Sequence, residues 1–244
     1  MTDAAAAVRQ AIQDAESVAV LTGAGISAES GVPTFRGPGG LWRNFSPEDL
    51  ATPEAFERNP RLVWEWYEWR RDCIRKSQPN AGHHALAELE RQKAENSLDA
   101  FTLITQNVDG LHDRAGSHRI LKLHGDIWIT RCTGCGTEER KEPAPLAELP
   151  PRCQCGSLLR PGVVWFGEAL PAIEWEQAFA AAARAKVFMV VGTSGVVYPA
   201  AGLVHVARRA GAEIVVINPE PTALDSEAAW VLRGASGEIL PRLL

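Results

Sequence analysis

The chain has no apolar run approaching the ~18 residues a membrane-spanning helix needs, so no membrane span is expected. It has no basic start followed by an apolar core: the opening MTDAAAAVRQAIQDAES mixes small apolar with charged residues and reads as a first helix, not a leader. It has no excess of positive charge. Twenty-five Lys and Arg against 30 Asp and Glu leave a net charge of −5, which argues against nucleic acid as the main partner. It has no internal repeat, so a stacked array is not expected. Cysteine is scarce, with five in all, and four of them fall between positions 132 and 155. In a chain without a secretion signal, such clustered thiols favour a metal over disulfides and a cytoplasmic location.

What is present suits a globular protein. The 244 residues, 45% hydrophobic and 23% charged, can bury a sizeable core as one large domain or a main domain with a small insert. The stretch the rest hangs on is VAVLTGAGISAESGVPTFRG, residues 18–37. Val18 to Leu21 read as a buried strand, which breaks into Gly23-Ala24-Gly25-Ile26-Ser27-Ala28, a fit to the glycine-rich turn of dinucleotide-binding folds. Gly23 permits the tight turn, Gly25 lets backbone approach a pyrophosphate, and bare N–H groups are offered to an anion. Pro33 then disfavours helix at Val32, and Gly37-Pro38-Gly39-Gly40 extends the interruption. The turn therefore opens into a loop carrying Phe35 and Arg36, placed to cover a cofactor.

Further along, Ser46-Pro47, Thr52-Pro53 and Asn59-Pro60 each pair a capping side chain with proline at the first helical position. The third begins a helix over about 60–76, and Asn80 caps another that ends near Lys93. FTLIT at 101–105 is a second strand, ILKLHG at 120–125 a third that ends in His124, KVFMVV a fourth and EIVVI, from 213, a last. Strands alternating with helices imply an α/β fold with a doubly wound parallel sheet. Gln106–Asp109, Gly192–Ser194 and Asn218–Glu220 all follow strands, and in open α/β sheets ligands sit at the carboxyl ends of strands.

Cys132-x2-Cys135, seventeen intervening residues and Cys153-x-Cys155 form a zinc signature. Four thiolates close a tetrahedral site with no position for a reacting water, so the metal is read as structural. His124, at a strand end, is the histidine assigned to catalysis, since a neutral imidazole accepts a proton near physiological pH. His83, His84, His112, His118 and His205 read as surface or packing residues.

GAGIS followed by GVPTFRG resembles the sirtuins, NAD-dependent protein-lysine deacylases, and the likeness runs from residue 18 to about 240 with the tight Cys-x-Cys pair as a departure. The resemblance implies a Rossmann-like domain of residues 1–36, 77–125 and 161–244, with a smaller domain made of a helical insert at 37–76 and a zinc-binding insert at 126–160. It implies NAD as co-substrate, held by Gly23, Ala24, Gly25, Ile26, Ser27, Glu29, Pro33, Thr34, Phe35, Arg36, Trp42, Gln106, Asn107, Val108 and Asp109, with the adenosine near Gly192, Thr193, Ser194, Asn218, Pro219, Glu220 and Ser236. His124 would be the general base toward a ribose hydroxyl, and Asn107 would orient the ribose and a water. Val163, Val164, Trp165, Phe166 and Gly167 would hold an acylated-lysine peptide by an apolar tunnel and strand pairing. The products implied are nicotinamide, O-acyl-ADP-ribose and free lysine, from a monomer with protein or peptide substrates.

Tyr67-x-x-Arg70 lies on one helix face. A guanidinium beside a phenol can bind a carboxylate, although Arg70 by itself reads as a solvated partner of a glutamate such as Glu65. The resemblance is to the branch that removes succinyl, malonyl and glutaryl groups, and Ala51 matches that branch's small acyl-pocket residue. Three other classes fit less of the chain. ADP-ribosyl transfer needs neither the acyl tunnel nor the Tyr67–Arg70 pair, a binding-only module needs no His124, and a hydride-transferring dehydrogenase leaves the 31–40 loop and the cysteine insert without a use.

Overall fold

The computed structural model describes residues 3–34, 46–140 and 145–244. Phe35, Arg36 and Trp42, with the Gly37–Gly40 stretch, lie outside the described residues. Among those described, the strands are β1 (Val18–Thr22), β2 (Phe101–Thr105), β3 (Ile120–Lys122), β4 (Gly125–Cys132), β5 (Glu138–Arg140), β6 (Leu159–Val163), β7 (Val187–Val191), β8 (Glu213–Ile217) and β9 (Trp230–Leu232).

Six of them form one sheet in the order β3-β2-β1-β7-β8-β9, every neighbour pair parallel. The winding reverses between β1 and β7, the switch point where open α/β sheets bind ligands. β1, β2 and β7 are buried along their whole length, which is why they read as unbroken apolar runs. Their side chains alternate between two cores. Val18, Val20, Phe101, Leu103 and Met189 pack on Val8, Ile12, Leu86 and Leu89 from the helices Asp3–Asp14 and Ala81–Ala94. Ala19, Leu21, Ile104, Phe188 and Val190 pack on Ala178, Ala182, Leu203 and Val204 from Ala172–Arg184 and Gly202–Arg209. Helices on both faces make the sheet doubly wound.

Register matters for function. Thr22 lies opposite Thr105 on one side and Val191 on the other, so the chain leaves β1, β2 and β7 at one level. Gly23, Gln106 and Gly192 follow directly.

The segment 120–125 is not one strand. β3 stops at Lys122, and β4 starts at Gly125, whose φ of 79° swings the chain into the second sheet. Space demands glycine there as well, since a Cβ would stand 2.3 Å from the Gly162 carbonyl oxygen. His124 thus sits on the hinge between sheets. Nor is β8 last: Trp230–Leu232 adds a three-residue edge strand, too short for periodicity to mark and defined by pairing with Val215–Ile217.

The second sheet is antiparallel, ordered β5-β4-β6, and carries the cysteines. The three Pro-led helices form as read: Thr52 Oγ1 accepts from Ala55 N at 3.1 Å, Asn59 Oδ1 from Leu62 N at 3.1 Å, and Asp49 reaches back to Ser46 N at 2.9 Å. Their helices run Pro47–Leu50, Pro53–Arg58 and Pro60–Lys76. A third core joins them to the second sheet, with Leu50, Phe56, Trp64 and Tyr67 packed on Ile127, Trp128, Val163 and Trp165. Arg71 fastens the join: its Nε and Nη2 donate to the Ile127 carbonyl at 2.8 and 2.6 Å, and Glu68 pairs with Nη1 at 2.9 Å.

Candidate active site

The switch point is a contact between two glycine turns. Gly25 N donates to the Gly192 carbonyl at 2.7 Å, and Gly23 N to Val191 at 3.1 Å. A Cβ on Gly25 would meet Gly192 backbone at 2.7–2.9 Å, so only glycine fits. This closeness corrects one expectation. The N–H groups of Gly23, Gly25, Ile26 and Ser27 already have protein acceptors, which leaves Ala24 N–H as the one in this turn with no acceptor among the described residues.

Behind the turn lies a buried polar cluster that organises Asn107 and Asp109. Asn107 Nδ2 donates to the Gly23 carbonyl at 3.0 Å, and Ser27 Oγ donates to Asp109 Oδ2 at 2.8 Å. Leu111 N holds the other Asp109 oxygen at 2.9 Å. Burial raises the Asp109 pKa, opposed by those two bonds and by Arg70. Gln106 Nε2 reaches Thr193 Oγ1 at 3.3 Å, linking the ends of β2 and β7.

Two histidines read as packing or surface residues belong to this cluster. His83 Nδ1 accepts from Asn80 N at 3.3 Å, so its hydrogen sits on Nε2, 3.4 Å from Ser27 Oγ. Burial lowers its pKa to about 4 and keeps it neutral. His112 Nε2 lies 3.0 Å from Thr22 Oγ1, which donates to Thr105 Oγ1 at 2.8 Å, and Thr105 in turn accepts from Asn107 N at 3.1 Å. Asn80 ties the helix below to the turn, through Nδ2 to the Ile26 carbonyl at 2.8 Å. The Asn80-x-x-His83 spacing, a capping box with histidine in the glutamate's place, was the sequence signal for this group.

His124 is half-buried on the hinge. Its Nδ1 is 3.0 Å from the Gln106 carbonyl. A carbonyl only accepts, so Nδ1 carries the hydrogen and Nε2 presents a lone pair. Burial lowers its pKa below 6.5, with the Gln106 bond partly opposing, so at neutral pH the base form dominates. The His124 carbonyl accepts from Val164 N at 2.9 Å, joining the histidine to the segment 163–167.

In that segment Phe166 N donates to the Ala51 carbonyl at 2.9 Å, while Phe166 is 53% exposed. Gly167 follows with φ 85°. Trp165 donates from Nε1 to Tyr67 Oη at 3.0 Å. Tyr67 and Arg70 are 2% and 6% exposed and lie side by side, the guanidinium 5.4 Å from the phenol ring centroid. Arg70 is not the partner of Glu65, which pairs with Arg61 at 2.9 Å. Burial lowers the Arg70 pKa, opposed first by Tyr67 and then by Asp109.

Other expected cofactor residues are spread along the same edge. Pro33 and Thr34 follow the turn at its half-buried end, and Val108 is buried, its carbonyl accepting from Ile127 N at 2.9 Å. Ser194 is exposed beyond β7. Beyond β8, Asn218 Nδ2 caps the Glu220 carbonyl at 2.7 Å across Pro219. Glu29 does something the sequence did not suggest: its carboxylate accepts from Gly237 N at 2.7 Å at the start of the helix Ser236–Ile239, holding the buried Ser236 near the turn.

The four cysteine Sγ atoms lie within 4.8 Å of one another. Cys132 and Cys155 are 3.4 Å apart, Cys135 and Cys153 3.7 Å. Tetrahedral Zn–S bonds of ~2.3 Å require sulfur–sulfur edges of ~3.8 Å, so the donor set fits one structural zinc ion. Gly134 N and Cys135 N both point at Cys132 Sγ from 3.4 Å. The two turns approach so closely that a Cβ on Gly134 would strike Ser157 Oγ at 2.3 Å. No helix among the described residues is long and apolar enough to cross a membrane.

Comparison with known proteins draws these features together. The Sir2 family model matches residues 23–199. The NAD-dependent protein deacylase of Aquifex aeolicus (strain VF5) is 57% identical over 209 residues, 85% of each chain. NAD-dependent protein deacylase 2 of Pyrobaculum aerophilum is 55% identical over 226 residues, 92% of this chain and 88% of that one. The crystal structure of a Sir2 homologue–NAD complex covers 100% of this chain and 93% of its own, with TM-score 0.92 and 46% identity. Sir2Af2 bound to a myristoylated histone peptide covers 100% and 95%, with TM-score 0.79 and 35% identity.

Proposed function

The chain belongs to the Sir2 family and is an NAD-dependent protein deacylase, and from that premise we propose that it prefers lysines carrying succinyl or malonyl groups, with acetyl-lysine a weaker substrate. The observation behind this reading is the buried Tyr67–Arg70 pair, set on the inner face of the helix Pro60–Lys76 beside Trp165. A buried guanidinium is held charged against its surroundings. A carboxylate at the far end of the acyl chain compensates that charge with two hydrogen bonds to Arg70 and one to Tyr67, which an acetyl methyl cannot do. Ala51, buried where Phe166 is anchored, leaves room for the longer chain.

NAD, when bound, supplies an anomeric carbon with nicotinamide as leaving group. The protein's share is positional. Ala24 N–H and the Gly23–Ser27 turn receive the pyrophosphate, Asn107 and Asp109 face the nicotinamide side, and Gly192–Ser194, Asn218–Glu220 and Ser236 receive the adenosine. Glu29 acts indirectly, by holding Ser236. His124, its Nδ1 hydrogen fixed on Gln106, takes a proton at Nε2 from a ribose hydroxyl. Val163–Gly167 hold the peptide. Four thiolates on a metal suit a reducing compartment, which supports a cytoplasmic location, and the enzyme is read as a monomer.

The test is one peptide carrying succinyl, malonyl, acetyl or myristoyl lysine, incubated with NAD and followed by peptide mass and nicotinamide. Succinyl and malonyl forms should turn over fastest. Arg70→Met should lose desuccinylation at least tenfold more than deacetylation; equal loss would remove Arg70 from the selectivity argument.

A further inference from the structure

Tyr67 can help a carboxylate only if its hydroxyl hydrogen points at the substrate, and the residues around it fix that direction. An indole N–H donates and never accepts. Trp165 Nε1, 3.0 Å from Tyr67 Oη, therefore occupies one acceptor direction of the phenol. Arg70, also donor-only, lies beside the same phenol, its guanidinium 5.4 Å from the ring centroid. With the indole donor on the oxygen and a cation beside the ring, the phenol hydrogen is turned away from the indole, and no acceptor among the described residues takes it.

Trp165 is in turn locked on three sides. Its N–H of the main chain donates to Glu168 Oε2 at 2.8 Å. The Arg160 guanidinium lies 3.5 Å from its ring centroid, itself bound to Glu168 at 2.5 and 2.8 Å. Phe56 packs with its ring centroid 5.4 Å away. The Arg160 cation and the Phe56 ring flank the indole, whose N–H keeps one acceptor direction of the phenol occupied.

We infer that Trp165 is a positioning residue for acyl selectivity: acting through Tyr67, it makes the phenol an obligate donor to an acyl group that ends in a carboxylate. The inference rests on the dicarboxylic reading above. It adds that selectivity requires a donor outside the Tyr67–Arg70 pair, supplied by the segment that also carries the peptide-holding residues.

A double-mutant cycle tests it. The kcat and KM of wild type, Tyr67→Phe, Trp165→Phe and the double variant are measured on succinyl- and acetyl-lysine forms of one peptide at saturating NAD. Trp165→Phe keeps a ring for Arg160 and Phe56 but removes the N–H. It should lower the succinyl-to-acetyl ratio of kcat/KM about five- to tenfold, mainly through the succinyl KM. In the Tyr67→Phe background the same change should leave that ratio alone, because nothing remains to orient. Equal losses on both substrates, or an effect fully additive with Tyr67→Phe, would overturn the inference. A Tyr67→Phe enzyme with an unchanged ratio would instead overturn the dicarboxylic reading itself. Should Trp165→Phe not fold, Arg160→Met leaves the indole but removes the cation stacked on it, and should shift the ratio the same way by a smaller factor; no shift counts against the inference.

Discussion

At the scale of single residues, protonation states decide what the site can do. The base role proposed for His124 needs the neutral imidazole, and burial holds its pKa below 6.5. The rate should therefore rise with pH through that pKa and level off above it, giving kcat/KM an acid limb with a midpoint below pH 6.5. His124→Ala should lower deacylation by at least a hundredfold above that midpoint, where the wild-type imidazole is neutral, and abolish the limb; a retained limb would assign it to another group. His83 has the opposite significance, for stability. Its folded pKa of about 4 lies below the ordinary 6.5, so between those values the unfolded chain binds the extra proton and stability falls as pH falls. The loss at pH 5 amounts to about 2 kcal/mol. Urea unfolding at pH 7 and pH 5 should show it in the wild type, and His83→Gln should shrink the difference between the two midpoints.

At the scale of elements, the function depends on two turns that touch. β1 and β7 are neighbours in register, and the Gly25–Gly192 contact at 2.7 Å closes the floor of the proposed cofactor site. Gly25→Ala puts a methyl group against backbone atoms that no rotamer change can relieve. Overpacking of this kind costs roughly 1–3 kcal/mol and opens the turn. Thermal unfolding should drop by several degrees, and NAD affinity by calorimetry should weaken at least tenfold. An unchanged affinity would mean the cofactor does not lie across this contact. The Gly125 hinge is the other critical point, because it sends β3 and β4 into different sheets and leaves His124 between them.

At the scale of the molecule, zinc acts at a distance. The cysteine turns lie at the far end of the β5-β4-β6 sheet, yet that sheet shares a core with the helix bearing Tyr67 and Arg70 and begins beside His124. Arg140, on β5, pairs with the buried Asp126 two residues after His124, at 3.0 Å. Cys153→Ser, or chelation, should therefore release about one zinc per chain by colorimetric assay and abolish deacylation together. The three buried strands of the main sheet should keep their far-ultraviolet signature longer than activity survives. Activity that persisted without metal would separate the two sheets functionally.

Much of this was legible in the residues themselves. Long apolar strands, proline-led helix starts, the glycine turn and the cysteine spacing each follow from local chemistry, and local chemistry is written in consecutive letters. His112 was not legible, and His83 only as a capping partner of Asn80, because what makes them members of the cluster is burial against Thr22 and Ser27, 90 and 56 positions away. The Glu29–Gly237 contact was not legible for the same reason: its two partners are 208 residues apart. The edge strand β9 and the break at Gly125 also waited for the fold, since three residues carry no period and a hinge is defined by the sheets on either side of it. Sequence set the kinds of atoms available and the turns that could hold them; tertiary packing alone decided which ones are dry, which face one another and hence which protons are free to move.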